Sequence, residues 1–148
     1  MSEQLAAAQA ALVDALVGEA AVPDGFDAVR LATVRRALLR KRAGEAARAW
    51  PLLAAALGRR WPAAVAEHLD GVAPGGSLRD GWDVARALRA RGALPSSAAG
   101  ELAEREAGWR HDGTSAPTRR RLPAVRRGGG HLFVQVGGRT HRLGGRGA

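Results

Sequence analysis

Four histidines, His68, His111, His131 and His141, are the side chains of this 148-residue chain best suited to hold a metal or move a proton near neutral pH. Their spacing suits neither task. No H-E-x-x-H or comparable ligand pattern is present. The closest pair in sequence, His131 and His141, falls on opposite faces of a predicted hairpin. The chain has no cysteine, which excludes thiol catalysis, disulfides, Cys-ligated zinc and iron–sulfur clusters. Gly128-Gly129-Gly130 is not followed by a helix and is no phosphate loop, and no nucleophile elbow occurs. Glu101, Glu104 and Glu106 read as solvated residues on a helix face. Nothing here assembles a catalytic constellation. The expectation is a binding module rather than an enzyme, with no metal and no cofactor.

Arginine is the chemistry this chain does carry. Lys and Arg number 23 against 14 Asp and Glu, a formal net charge of +9, and Lys41 is the only lysine. Isoleucine, asparagine and tyrosine are absent while alanine and glycine abound, a pattern that GC-rich codons produce. Codon bias would spread arginine evenly, yet residues 1–110 hold 15 basic and 13 acidic side chains, whereas residues 111–148 hold 8 arginines and only Asp112. The surplus sits at one end and points to an anionic partner, an acidic peptide or nucleic acid. The start Met1-Ser2-Glu3-Gln4 lacks the basic region of a secretory signal. No apolar run approaches the roughly 20 residues that span a bilayer. The reading is a cytoplasmic protein with no membrane partner.

Several elements must position these arginines. Leu5, Leu12, Val13, Leu16 and Val17 recur at helical spacing over about 3–18, and Gly18 with Pro23-Asp24-Gly25 ends that helix. Asp27 is a plausible N-cap for a helix over 28–49, with apolar Val29, Leu31, Val34, Leu38 and Leu39. Its other face carries Arg30, Arg35, Arg36, Arg40, Lys41 and Arg42, and Gly44 marks a possible bend. Trp50-Pro51 and Trp61-Pro62 each read as a helix start, because proline suits the first helical position and its predecessor avoids helical backbone. These give helices near 51–57 and 62–70, closed by Leu57-Gly58 and Gly71. Ser77 and Asp80 have capping spacing for a helix near 78–91, and Ser96 or Ser97 starts a last one over about 97–109. Trp50, Trp61, Trp82 and Trp109 read as core anchors.

Residues 111–121 read as a basic linker. Beyond them, His131 to Val136, Gly137-Gly138 and Arg139 to Leu143 spell a hairpin. The two-residue turn pairs Val136 with Arg139, Gln135 with Thr140, Val134 with His141, Phe133 with Arg142 and Leu132 with Leu143. Residues 124–127 supply a third strand if they join. Alternation puts Leu132, Val134 and Val136 against the helices and leaves Phe133 beside Arg142 outside, the one aromatic–basic pair that could stack on a base.

The central pattern resembles a known family. Ala49-Trp50-Pro51-Leu52-Leu53, Leu57-Gly58, Trp61, His68-Leu69, Pro74, Ser77-Leu78 and Gly81 are similar to the N-terminal domain of HvfC/BufC-like proteins, long labelled a DNA-binding domain. The resemblance covers about residues 5–109. The tail resembles a short C-terminal segment of actinobacterial relatives, sometimes fused to an oxidase. Two positions depart from the pattern: Trp50 stands where phenylalanine is usual, and Val34-Arg35-Arg36 where a tyrosine is followed by Arg-Asn. The resemblance implies a non-catalytic partner of multinuclear non-heme iron-dependent oxidases, which modify ribosomally made precursor peptides. In that picture the oxidase carries the iron, and the partner presents the leader peptide.

The expected architecture is therefore mainly α: a helical partner domain at 1–110, the linker, and a Gly/Arg-rich two- or three-stranded hairpin module at 122–148. The structural motif is Trp50, Pro51, Leu57, Gly58, Trp61, Ser77 and Gly81. The candidate peptide surface is Arg119, Arg120, Arg121, Arg126, Arg127, His131, Leu132, Phe133, Val134, Gln135, Val136, Arg139 and Arg142, where a leader can add a strand to the open hairpin edge. The alternative is a winged-helix-like nucleic-acid binder using the arginine tail and the second helix.

Overall fold

A computed structural model describes residues 3–18, 20, 21, 23 and 27–144; Asp24 and Gly25, part of the expected end of the first helix, lie outside the described residues. The chain is a helical bundle followed by antiparallel strands, as its periodicity requires. The helices are α1 (Glu3–Val17), α2 (Ala28–Ala49), α3 (Pro51–Leu57), α4 (Trp61–Leu69), α5 (Ser77–Ala90) and α6 (Ser96–Gly108), with a 3₁₀ turn at Gly58–Arg60. Strands β1 (Trp109–Arg110) and β2 (Thr118–Arg119) form a two-stranded ribbon, and β3 (Ala124–Gly128), β4 (His131–Val136) and β5 (Arg139–Leu143) form a sheet in the order β3-β4-β5.

Local chemistry explains most boundaries. Asp27 is extended, and its Oδ1 accepts the N–H of Val29 at 2.8 Å and of Arg30 at 3.4 Å, which starts α2. The helix then runs unbroken through Gly44 to Ala49. Trp50 leaves helical backbone before Pro51, as a residue preceding proline should. Trp61 does not: it is helical, at φ −54 and ψ −52, because the 3₁₀ turn already winds the chain into α4 and the Trp61 N–H donates to Gly58. The capping pair expected at Ser77 and Asp80 is also overturned. Gly76 caps α5 with no side-chain bond, and Asp80 turns inward to Arg42 instead. Likewise α6 starts after Pro95 without help from a serine and ends at Gly108, so that Trp109 is strand.

The tryptophans are core anchors, with Trp50, Trp61 and Trp82 buried and Trp109 packed against the same cluster. Trp50 and Trp82 meet edge to face at 5.7 Å. The backbone takes two of the indole N–H groups: Trp50 Nε1 donates to Leu78 O at 2.8 Å and Trp61 Nε1 to Ala43 O at 2.9 Å, whereas Trp82 Nε1 is buried with no partner among the described residues. A Cβ on Gly81 would fall inside the Trp50 indole, which is why the motif carries glycine there. Arg42 departs from the solvated basic face expected of α2. Its Nε and Nη2 bond both oxygens of buried Asp80 at 2.9 and 2.8 Å, and its Nη1 donates to Val72 O at 2.7 Å. Val29 and Val34, expected on the apolar face, are exposed, as is Val13 on α1.

The hairpin register is the expected one, residue for residue, and β3 makes it three-stranded. Gly137 and Gly138 both take positive φ, 58 and 80, which the two-residue turn needs and most residues resist. The facing is reversed from expectation. Phe133 and Gln135 are buried against α6, and Val136 is 54% exposed. The cause lies in the partner surface. The α6 helix offers Ala99, Gly100, Ala103 and Ala107, a shallow face that admits one large ring, and Phe133 clusters with Ala103 and Ala107. On β3 the same inward face carries buried Ala124, and Gly128 sits where a Cβ would strike the Ala99 carbonyl. Small residues bring the sheet onto the helix, and Leu132, Val134 and Val136 face out.

Candidate functional site

The outward face and free edge of the sheet form the candidate site. In an antiparallel pair, hydrogen-bonded and non-bonded positions alternate. The turn makes Val136 and Arg139 a bonded pair, so Thr140 and Arg142 are non-bonded. Their main-chain groups therefore point away from β4, along an edge that no strand covers among the described residues. Beside this edge runs a groove of about 470 Å³ between β5 and the helices, bordered by Leu52, Arg105, Trp109, Arg119 and Thr140. Arg119 lies over the Trp109 ring at 4.7 Å, a cation–π contact that holds its charge at the groove wall. Arg105 lies over Trp50 at 4.6 Å and donates to the Ala49 carbonyl.

The expected surface residues divide into three groups. Arg127, Leu132, Val134, Val136 and Arg139 share the outer face, with Val125, His141 and Leu143 completing it. Arg119, Arg121 and Arg142 are exposed around the edge. The rest belong to the inner side. Phe133 and Gln135 are buried, so they support the sheet and no partner reaches them; the stacking role expected of Phe133 beside Arg142 is excluded by that burial. Gln135 Nε2 donates to the Arg120 carbonyl at 3.2 Å. His131 Nδ1 lies 2.8 Å from Gly129 O in the turn. Arg120 anchors through Nε to the carbonyls of Glu106 and Trp109 at 2.9 and 3.0 Å, and Arg126 is half-buried beside Phe133.

Two features escaped the periodicity. The stretch expected as linker is partly structured: β1 pairs with β2, and His111 is fully buried, its ring 5.3 Å from Trp82 and its Nε2 2.9 Å from Asp83. Asp112 closes a tight turn by accepting the N–H groups of Ser115 and Thr114, which hold its carboxyl well below the usual range. His111 and Asp83 are 28 positions apart, with α6 between them in the sequence, so local periodicity carries no signal for their contact. Second, Glu101 and Glu106 are buried, against the solvated positions expected; only Glu104 is exposed. Glu101 accepts the Leu53 N–H at 2.8 Å at the start of α3, and burial pushes its carboxyl up. Burial would push Glu106 up too, but hydrogen bonds from Arg89 and Arg86 outweigh it and hold the carboxyl down.

No group of three His, Asp or Glu converges on a metal position among the described residues. His131 and His141 occupy opposite faces of the sheet. No described helix is long and apolar enough to cross a membrane.

Comparison with known proteins places this geometry in a family setting. The family described as "SCO6045-like, C-terminal domain" matches residues 6–90. A UPF0276 protein of Streptomyces avermitilis is 38% identical over 125 residues, which are 84% of this chain and 25% of that protein. The chain thus spans about a quarter of the length of the curated relative it matches. No solved structure matches.

Proposed function

From the premise that this chain belongs to the SCO6045-like C-terminal domain family, we propose that it is a non-catalytic partner subunit, of the kind its HvfC/BufC-like pattern implies. In this reading it binds an iron-dependent oxidase and holds the leader of a ribosomally made precursor peptide. The observation that carries the reading is the open β5 edge beside a groove walled by Trp109 and Arg119. An extended peptide there gains main-chain bonds to Thr140 and Arg142, and every second side chain enters the groove. Arginines at the rim favour acidic leaders and speed their encounter.

A companion for the module is supported by two further facts. The matched family is described as the C-terminal domain of something longer, and the Streptomyces avermitilis relative is some four times the matched length. The outer sheet face, with Val125, Val136 and Leu143 each at least half exposed, is an apolar surface of the kind that proteins cover with partners. In the proposed arrangement the helical body and this face meet the oxidase while the edge takes the peptide. The nucleic-acid alternative has less to draw on than the basic α2 face promised. Arg42 is buried on Asp80, and Arg35 bonds Asp70 at 2.7 Å.

Thr140→Pro tests the peptide site. Proline removes the edge donor and leaves the β4–β5 bonds in place, since an edge position tolerates it. A fluorescent precursor peptide, taken from a short reading frame beside the gene, is titrated into the full chain and the variant. A loss of tenfold or more with an unchanged circular dichroism spectrum is expected; equal affinity overturns the edge assignment. Co-expression with an oxidase encoded alongside, followed by iron measurement in the co-purified complex, tests the partner role. An oxidase that purifies alone overturns it.

A further inference from the structure

A second cavity, of about 440 Å³, lies under the β1–β2 ribbon and is walled by the end of α6 and by β3. Four arginines line it: Arg86, Arg110, Arg120 and Arg126. Arg86 is committed, through Nε to Glu106 at 2.9 Å and through Nη1 to the His111 carbonyl at 2.8 Å. The other three pair with no carboxylate among the described residues. Arg120 is pinned by its Nε, and its terminal nitrogens have no protein acceptor among the described residues. Arg126 donates one Nη1 bond to its own neighbour's carbonyl, at 2.8 Å.

The acids nearby do not neutralise this group. Glu106 is held by Arg86 and Arg89, and Asp112 is folded into its own turn. Like charges around one space raise each other's energy. Burial and then the charges of Arg126 and Arg110 lower the Arg120 guanidinium from its ordinary value. His111 also lines the cavity, but its side chain is fully buried with Nε2 2.9 Å from Asp83, so it supplies wall rather than a contact. A walled space with surplus guanidinium donors, whose own acids are already engaged elsewhere, is short of an anionic ligand.

We propose that this cavity binds a carboxylate carried on an organic body. The forked guanidinium groups of Arg110, Arg120 and Arg126 match a planar carboxylate, and Trp109 and Ala116 offer apolar wall for the body that bears it. The volume is that of a small-molecule site, far larger than one ion fills. Asp112 also borders the cavity, and its charge repels a dianionic phosphate more than a single carboxylate. The carboxylate comes either from an acidic side chain of a peptide or from a free dicarboxylic acid. The site shares Trp109, and no other lining residue, with the groove beside β5, and it does not require the leader-peptide reading.

Calorimetry on the full chain tests it with four probes: a blocked tetrapeptide carrying two glutamates, its glutamine counterpart, succinate, and inorganic phosphate. Saturable one-to-one binding of the glutamate peptide or of succinate is expected, the tighter of the two identifying the source. Arg110→Gln and Arg126→Gln should each weaken it tenfold or more, and Arg91→Gln, paired with Glu67 and outside the cavity lining, should not. Arg110 is exposed, so its substitution leaves the fold standing. The proposal is overturned by no saturable binding of either carboxylate, by affinity indifferent to both cavity substitutions, by equal binding of the glutamine peptide, or by phosphate binding more tightly than the carboxylates.

Discussion

Gly81 sits on α5 where an added Cβ would overlap the Trp50 indole, so there is no space for even a methyl group. Overpacking a filled core costs about 1–3 kcal/mol. Gly81→Ala should therefore lower stability by that amount, although alanine is the better helix former, and the shift in the urea midpoint measures it. A rise in stability would mean that Trp50 relaxes freely. Charge at single residues sets the response to pH. Glu106 is held below its ordinary value of 4.5 in the folded chain. A carboxylate with a depressed folded value stabilises at pH above the unfolded value, and that contribution disappears as pH falls through the folded one. Glu106→Gln should flatten the acid limb of the stability profile below about pH 4.5, as read by thermal melts across pH. Glu101 has the opposite sign. Its raised carboxyl favours the fold at low pH, and this contribution is lost as pH rises through the raised value.

At the scale of elements, the packing of the sheet on α6 rests on one ring. Phe133 is 3% exposed, and its cluster partners are Ala103 and Ala107. Removing a buried phenylalanine costs about 3–5 kcal/mol. Phe133→Ala should destabilise the protein by that order, whereas Val136→Ala on the open face should change it by less than about 0.5 kcal/mol. The reverse ranking would restore the facing that alternation alone suggested. That facing shows where the sequence is legible and where it is not. Caps, prolines and the Gly137-Gly138 turn act locally, so helix limits and strand register follow from a few neighbouring residues. Which side of a sheet meets a helix depends on the helix. Counting apolar residues favoured Leu132, Val134 and Val136, three against one. The deciding signal was the small-residue series Ala99, Gly100, Ala103 and Ala107 together with Ala124 and Gly128, spread over two elements. Buried Arg42–Asp80 and Arg86–Glu106 pairs are illegible for the same reason, being contacts between residues 38 and 20 positions apart.

Across the whole molecule, charge is partitioned. The helices carry near balance, and much of their arginine is tied to carboxylates: Arg35 to Asp70, Arg42 to Asp80, Arg86 and Arg89 to Glu106, Arg91 to Glu67. The arginines of the ribbon and sheet have no such partners among the described residues, and they surround both an open strand edge and a donor-rich cavity. Peptide and nucleic acid respond differently to such a surface. A bound strand draws affinity from main-chain bonds and buried side chains, which salt barely screens, while the arginines mainly hasten encounter. A duplex draws affinity from phosphate contacts that release counterions, and a protein making about 6–10 of them loses about 10³–10⁵ in affinity between 50 and 200 mM salt. Titrating the precursor peptide and a random DNA duplex into the full chain at those two concentrations separates the cases. The peptide should lose about tenfold or less, and duplex binding, where present at 50 mM, should vanish at 200 mM. Duplex binding that stays tight at 200 mM and exceeds that of the peptide would make the arginine-rich end a nucleic-acid surface and overturn the peptide assignment.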